Sequence, residues 1–286
     1  VALVRPRLPL GVEAVTLPPP GHLVLAAGLA LAVSGAAWRA RALTASGAAA
    51  AAFVGLAHFG FAGGRGASAL LLFFVSSTAL SRLGKKRKDA LDYEKGGERD
   101  AGQVLANGGV AALCALLLPF APGPTFLPLA AMLGALAAAN ADTWATEIGS
   151  LAKHPPRLIT TLRPAPTGSS GAISLPGTLA ALAGAALLGA ASLLWPEAGA
   201  WRGVLAVTLG GFAGSLLDSL FGATLQVQYR CPACGRLTEK REHCGQATER
   251  ARGLPWLNND AVNTLATLGG AAAAALLWTA LSQRPS

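Results

Sequence analysis

Four acidic residues stand where a chain this apolar should not hold them. Asp142 and Glu147 lie in "ANADTWATEIGS", Asp218 in "GSLLDSLFGATLQ" and Asp260 in "NNDAVN". Each follows or opens a run of alanine, leucine and glycine long enough to enter a bilayer. An uncompensated carboxylate in hydrocarbon costs about 2.5–3.5 kcal/mol even on lenient insertion scales. A divalent cation bound to phosphate would compensate several at once. Mg²⁺ takes one or two carboxylates and completes its shell with water and phosphate oxygens, which suits Asp142, Asp218 and Asp260, with Glu147 close by. Such a group handles metal–polyphosphate chemistry, which asks mainly for positioning and charge stabilisation.

Polar and cationic residues that could complete this chemistry fall in the connecting loops. Lys85, Lys88, Lys95 and Arg99 lie in one, and Arg163 opens another, "RPAPTGSSGAIS". Thr167, Gly168, Ser169, Ser170 and Gly171 of that loop precede an apolar run, where free backbone N–H groups at a helix start attract phosphate. Asn107 and Asn259 stand near the starts of two other runs and could orient a ligand. Each feature also has a plainer reading. Basic juxtamembrane loops set topology and touch lipid headgroups, Gly/Ser turns often serve structure alone, and small-residue runs such as "GALAAANA" pack helices. The Asp segments share a pattern, Asp-Thr before Gly149 and Asp-Ser before Gly222, which hints at internal duplication. The argument for a site rests on carboxylates, hydroxyls, a glycine turn and cations meeting at one membrane face.

A separate cluster is "CPACGRLTEKREHCG", with Cys231 and Cys234 in a C-x₂-C turn and His243 and Cys244 adjacent. These residue types suit a structural zinc ion. Adjacent side chains ordinarily point apart, so a metal-free loop or a redox pair stays open. Cys114, alone in an apolar run, reads as a packing residue.

The elements that must position these groups are membrane spans. Of 286 residues, 52% are hydrophobic and 13% charged, with a mean hydropathy of +0.47. That composition argues against a soluble helical bundle. Eight apolar segments approach the ~20 residues a helix needs to cross the bilayer: about His22 to Trp38, Thr44 to Gly63, Gly66 to Leu80, Gln103 to Pro119, Phe126 to Gly149, Ile173 to Trp195, Val204 to Gln228, and Asp260 to Leu281. The third is short and nearly continuous with the second, so a hairpin or tilted pair is expected there.

The expected fold is an all-α, polytopic helix bundle of about eight transmembrane helices forming one membrane domain over residues 1–286, with loops at 81–102, 150–172 and 229–259. The loops that share a side with Arg99 and Arg163 carry most of the lysine and arginine, whereas the opposite connecting loops hold only Arg65 and Arg202. Such a bias places the rich side in the cytoplasm and both termini outside. The expected setting is a bacterial-type inner (cell) membrane, multi-pass, with the site on the cytoplasmic side. The net charge of +9 is then an orientation signal and an anion-binding face; no nucleic-acid module is read.

Six motifs stand in order, "KGGERDAGQVLANGG", "ANADTWATEIGSL", "PTGSSGAIS", "GSLLDSLFGATLQ", "YRCPAC…HCG" and "NNDAVNTLATLGG", within a match that covers roughly Gly66 to Leu281. They resemble the integral-membrane family that includes the plant phytyl-phosphate kinase of vitamin E synthesis. The resemblance implies a CTP- or other nucleotide-dependent kinase that converts a prenyl monophosphate such as phytyl or geranylgeranyl phosphate to the diphosphate with Mg²⁺. From the chemistry of the residues themselves, Asp142, Asp218, Glu147 and Arg99 are the expected catalytic groups. A looser likeness to membrane CTP-using enzymes keeps a cytidylyltransferase or an isoprenoid alcohol kinase open, and a small-solute or ion transporter is the alternative of another class. An acceptor that is already a phosphate needs no strong general base, which agrees with the lack of histidine in the spans near this face.

Overall fold

The computed structural model describes residues 17–82, 98–121 and 126–283. Eight α-helices build the described chain: α1 (Pro20–Arg39), α2 (Ala45–Phe61), α3 (Gly63–Arg82), α4 (Ala101–Leu117), α5 (Leu127–Gly149), α6 (Leu175–Ala191), α7 (Trp201–Thr224) and α8 (Asn259–Ser282). They match the eight expected spans within a few residues. The third span is longer than its hydropathy implied, because Gly63–Arg65 and Arg82 are helical although polar or small. Only Ala62 separates α2 from α3, and Gly63 takes a φ of +64° to make that turn.

By length and composition, α1, α3, α4 with its 3₁₀ extension to Phe120, α6 with its extension to Leu194, α7 and α8 can each cross a membrane. The apolar α2 is shorter, at 17 residues. Helix α5 has 23 residues, but Asn140, Asp142 and Glu147 lower its hydropathy. It is also the innermost helix, with Leu133, Ala135, Leu136, Ala137 and Ala141 fully buried. Large apolar side chains instead face outward elsewhere, as at Val24, Leu175 and Leu276, each more than 70% exposed. An inside of small residues and an outside of large apolar ones is what lipid as solvent permits.

Backbone contact between α5, α7 and α8 is the central packing feature. A Cβ placed on Gly211 of α7 would stand 2.4 Å from Ala137 Cβ of α5, and one on Gly214 would stand 2.6 Å from Ala138 Cβ. One on Gly134 of α5 would lie 2.5 Å from the Gly270 carbonyl oxygen of α8. The small-residue runs are therefore packing faces, as "GALAAANA" suggested. Asn140 extends the lock to α3 and α6: it is fully buried, accepts from Ser76 and Ser77 Oγ at 3.0 Å each and donates to the Gly184 carbonyl at 2.8 Å. Its role is to tie helices together. At the other end of the core, Phe126 and Trp278 pack with ring centroids 5.5 Å apart.

Outside the helices the chain must pair its polar backbone groups, and it does so with short strands that hydropathy alone did not reveal. In the α5–α6 connection, β1 (Arg157–Leu158) pairs antiparallel with β2 (Ala172–Ile173). Between α7 and α8, β3 (Gln228–Arg230) is flanked by β4 (Leu237–Thr238) and β7 (Glu249–Arg252), while β5 (Glu242–His243) pairs with β6 (Gln246–Ala247). The register sets Tyr229 opposite Thr238 and Gln228 opposite Arg252.

Candidate functional site

Helices α5 and α7 run the same way, and their glycine–alanine contact carries Asp142 and Asp218 to the same end of the bundle. The charge of Asp142 acts on Asp218. Neither is turned to lipid: both are partly buried, and Asp218 Oδ2 is fully enclosed with no hydrogen-bond partner among the described residues. Each aspartate is followed by a glycine that receives the α5–α6 connection. Gly149 lies against Ser174 and Gly177, and Gly222 against Gly171. The paired Asp…Gly segments thus have a shared packing role.

Other expected residues join from neighbouring elements. Arg99 precedes α4, and its backbone bonds to Ala42 and Thr44 of the α1–α2 connection. Burial lowers the pKa of its guanidinium from the usual value, and the negative charge of Glu147 opposes that shift. Glu147, on the last turn of α5, accepts from Ser81 Oγ at 2.7 Å. Asp260 lies in the first turn of α8 beside the start of α4: a Cβ on Gly102 would meet its Oδ2 at 2.6 Å. Asp100 caps α4 in a reciprocal capping box with Gln103.

The residue that sequence reasoning missed is Glu239, which follows β4. It accepts from Ser170 Oγ at 2.5 Å and from Gln226 Nε2 at 2.7 Å. Its charge acts on Asp218, and that of Asp260 acts on it, so it bridges the two. Burial raises the Glu239 carboxyl above its ordinary value; the Ser170 and Gln226 hydrogen bonds pull it back, and Asp260 pushes it further up. Arg252 was missed with it. Its guanidinium donates to the Gly222 and Ala223 carbonyls at the C-terminus of α7 and to Gln228 Oε1, a favourable place for a cation. Burial lowers its pKa.

The Gly/Ser turn is placed differently from a simple helix-start cradle. Strand β2 separates it from α6, whose N-terminus is capped by Ser174 accepting from the Gly177 N–H. Gly168 and Gly171 take φ of +87° and +75°, and a Cβ on Gly171 would stand 2.5 Å from the Ser219 carbonyl oxygen, next to Asp218. Gly168, Ser169 and Ser170 line a polar pocket with Gln228, Glu239 and Arg252, which with the space at its mouth encloses about 880 Å³. Thr167 and Arg163 are exposed beside it. Asn259 is half-buried at the first position of α8, where its neighbour Asn258 supplies the cap. Asn107 lines, with Arg99 and Gln103, a crevice among the first four helices. Lys85, Lys88 and Lys95 lie outside the described residues.

The carboxylates bring oxygen donors together, and Asp218 Oδ2 is buried with no hydrogen-bond partner among the described residues, which fits a hard divalent cation. Among the described residues, the ligand atoms of Cys231, Cys234, His243 and Cys244 all lie within 4.8 Å of one another. Adjacent His243 and Cys244 can both face inward because Cys244 adopts φ +54° and Gly245 follows at +72°. A cysteine held in the left-handed region is strained, and here that backbone aims its thiol at the cluster. Sγ of Cys234 and of Cys244 lie 3.5 and 3.2 Å from His243 Nδ1. Burial would raise the Cys231 thiol, but hydrogen bonding to His243 and around Cys234 brings it to about 6; hydrogen bonding with Cys234 leads in pushing Cys244 up to about 11. Three thiols beside an imidazole are the donor types that a structural zinc ion takes.

Comparison with known proteins follows from these motifs. A family of integral membrane proteins, described as Integral membrane protein DUF92, matches residues 28–271. The chain is 30% identical over 275 residues to Protein PGR of Arabidopsis thaliana, covering 87% of this chain and 94% of that protein. It is 34% identical over 219 residues to an uncharacterized membrane protein of Synechocystis, covering 74% and 73%. It is 26% identical over 228 residues to Protein VTE6, chloroplastic, of Arabidopsis thaliana, covering 78% and 61%. No solved structure matches.

Proposed function

Because the chain belongs to the Integral membrane protein DUF92 family, we propose that it is a membrane prenyl-phosphate kinase, transferring the γ-phosphoryl group of a nucleoside triphosphate, CTP in preference, to a prenyl monophosphate. The single observation that carries this reading is the setting of Asp218. Its buried Oδ2 has no hydrogen-bond partner among the described residues and feels the charges of Asp142 and of Glu239, which lines a pocket with Gly168, Ser169, Ser170 and Arg252. The motif resemblance to the family of the plant phytyl-phosphate kinase supports the same choice.

In this reading Asp142, Asp218 and Asp260 hold Mg²⁺, with Glu239 beside them. The bound ion supplies charge neutralisation for the transferred phosphoryl group. Ser169, Ser170 and the backbone of the Gly/Ser turn position the nucleotide phosphates, and Arg252 adds positive charge to that pocket. Arg99 faces the acceptor phosphate, with Glu147 fixing the guanidinium. A new bond forms between an acceptor phosphate oxygen and Pγ as the bond from Pγ to the β–γ bridging oxygen breaks, and the nucleoside diphosphate leaves with that electron pair. The attacking oxygen is already anionic, so no side chain has to take its proton. Zinc on Cys231, Cys234, His243 and Cys244 would fold the segment that carries Glu239. The arginine and lysine bias of the site-side loops supports a cytoplasmic orientation of this face, in this reading within a bacterial-type cell membrane.

The test is a transfer assay on purified protein with γ-labelled CTP, Mg²⁺ and phytyl or geranylgeranyl phosphate. Labelled prenyl diphosphate and CDP are expected. Pyrophosphate release would identify a cytidylyltransferase instead, and solute flux into proteoliposomes without nucleotide consumption would identify a transporter.

A further inference from the structure

Helices α1 to α4 do not close on one another completely. Between them runs a crevice walled by Ala30 and Ala37 of α1, Val54 and Gly55 of α2, Phe73 of α3 and Gly108 of α4, which with the space at its opening encloses about 690 Å³.

Its polarity is graded along its length. Apart from Ser34 of α1, whose hydroxyl donates to the Leu31 carbonyl, the polar lining residues are Arg99, Gln103 and Asn107, all in the start of α4 and the residue pair before it. The walls below them are apolar. On α2 the lining runs from Ala51, next to the site face, to Phe59, a depth of about 12 Å at 1.5 Å per residue, roughly 40% of the ~30 Å hydrocarbon thickness. The polar end adjoins the acidic site, because the charge of Glu147, on the same helix as Asp142, acts on Arg99.

We propose that this crevice binds the head-proximal part of the acceptor's single prenyl chain, with the phosphate on Arg99 and the distal chain leaving sideways into the bilayer. The proposal rests on the kinase reading for the identity of the lipid. A cation at the mouth of a narrow apolar slot complements one anionic headgroup on one chain. Lateral exit lets the site accept chains longer than its depth.

The experiment is photolabelling of the full chain in nanodiscs with a geranylgeranyl phosphate analogue carrying a diazirine near the headgroup, followed by peptide mapping. Label is expected on the peptides containing Ala30–Ala37 and Ala51–Phe59. Unlabelled geranylgeranyl phosphate should compete and two-chained phosphatidic acid should not. Ala51→Phe should cut labelling at least about tenfold while the protein keeps its elution volume and Tm. Label confined to α5–α8, or equal competition by phosphatidic acid, overturns the proposal, and both results are read on the wild-type chain even if Ala51→Phe does not fold. Specific labelling of the crevice without transfer from any nucleotide would overturn the kinase reading and leave the crevice standing. Transfer with labelling elsewhere would do the reverse.

Discussion

Ser170 Oγ donates a 2.5 Å hydrogen bond to Glu239 Oε1. The contact joins the Gly/Ser turn of the α5–α6 connection to the cysteine-bearing segment between α7 and α8, across 69 residues of sequence. It brings a third acidic side chain into the field of Asp218.

The first prediction concerns that side chain. Glu239→Gln keeps an oxygen to accept from Ser170 and Gln226, so the local fold survives. The negative charge is lost. Removal of one preorganised charged group from a phosphoryl-transfer site should lower kcat about 10²-fold. Steady-state assays with varied nucleotide and varied lipid will check this, and an unchanged kcat would place Glu239 outside the chemistry.

Glu239 also sets a pH dependence. Its folded-state value is raised above the ordinary 4.5, so the fold favours the protonated form. The stability this contributes is full below pH 4.5 and is lost as pH rises through the raised value. Metal-free protein should therefore lose part of its Tm across that window, and Glu239→Gln should flatten the loss. Metal binding needs the ionised carboxylate, so divalent affinity should rise over the same window.

How much of this was legible in the sequence differs from residue to residue. Asp142 and Asp218 stood out because a carboxylate in an apolar run is costly, and the eight spans stood out because lipid demands long apolar helices. Glu239 and Arg252 gave no such signal: each is one charge among many in a polar loop, and only the β3–β4 and β3–β7 pairings fold them back over α7. Asn140 stands two residues before Asp142 in the same polar stretch, yet it is spent on Ser76, Ser77 and Gly184. The His243–Cys244 pair looked ill-suited to share a metal until the backbone of Cys244 proved left-handed. Chain reversals of this kind depend on tertiary contacts.

Zinc should be present and should matter at a distance. Purified protein should contain one zinc per chain by elemental analysis, a count that follows from one Cys₃His set and would drop in Cys234→Ser. Chelation should lower Tm and transfer together, since Glu239 lies between the two halves of the cluster. Full transfer in zinc-free protein would separate the cluster from the site.

Close helix contact is a prerequisite for the site. Gly214→Val would drive a side chain into Ala138 of α5, where even a Cβ stands at 2.6 Å. Overpacking of this kind costs about 1–3 kcal/mol. Thermal unfolding in detergent should show the loss, and the part of the protein that stays folded should transfer more slowly because Asp142 and Asp218 are pushed apart.

The most direct measurement of the central claim is Mn²⁺ binding, followed by electron paramagnetic resonance in the presence and absence of CTP. Wild-type protein should bind Mn²⁺ tightly only with nucleotide, and Asp142→Asn and Asp218→Asn should each weaken that binding at least about tenfold. Mn²⁺ affinity left unchanged by both substitutions would contradict the claim that these two carboxylates hold a metal–polyphosphate.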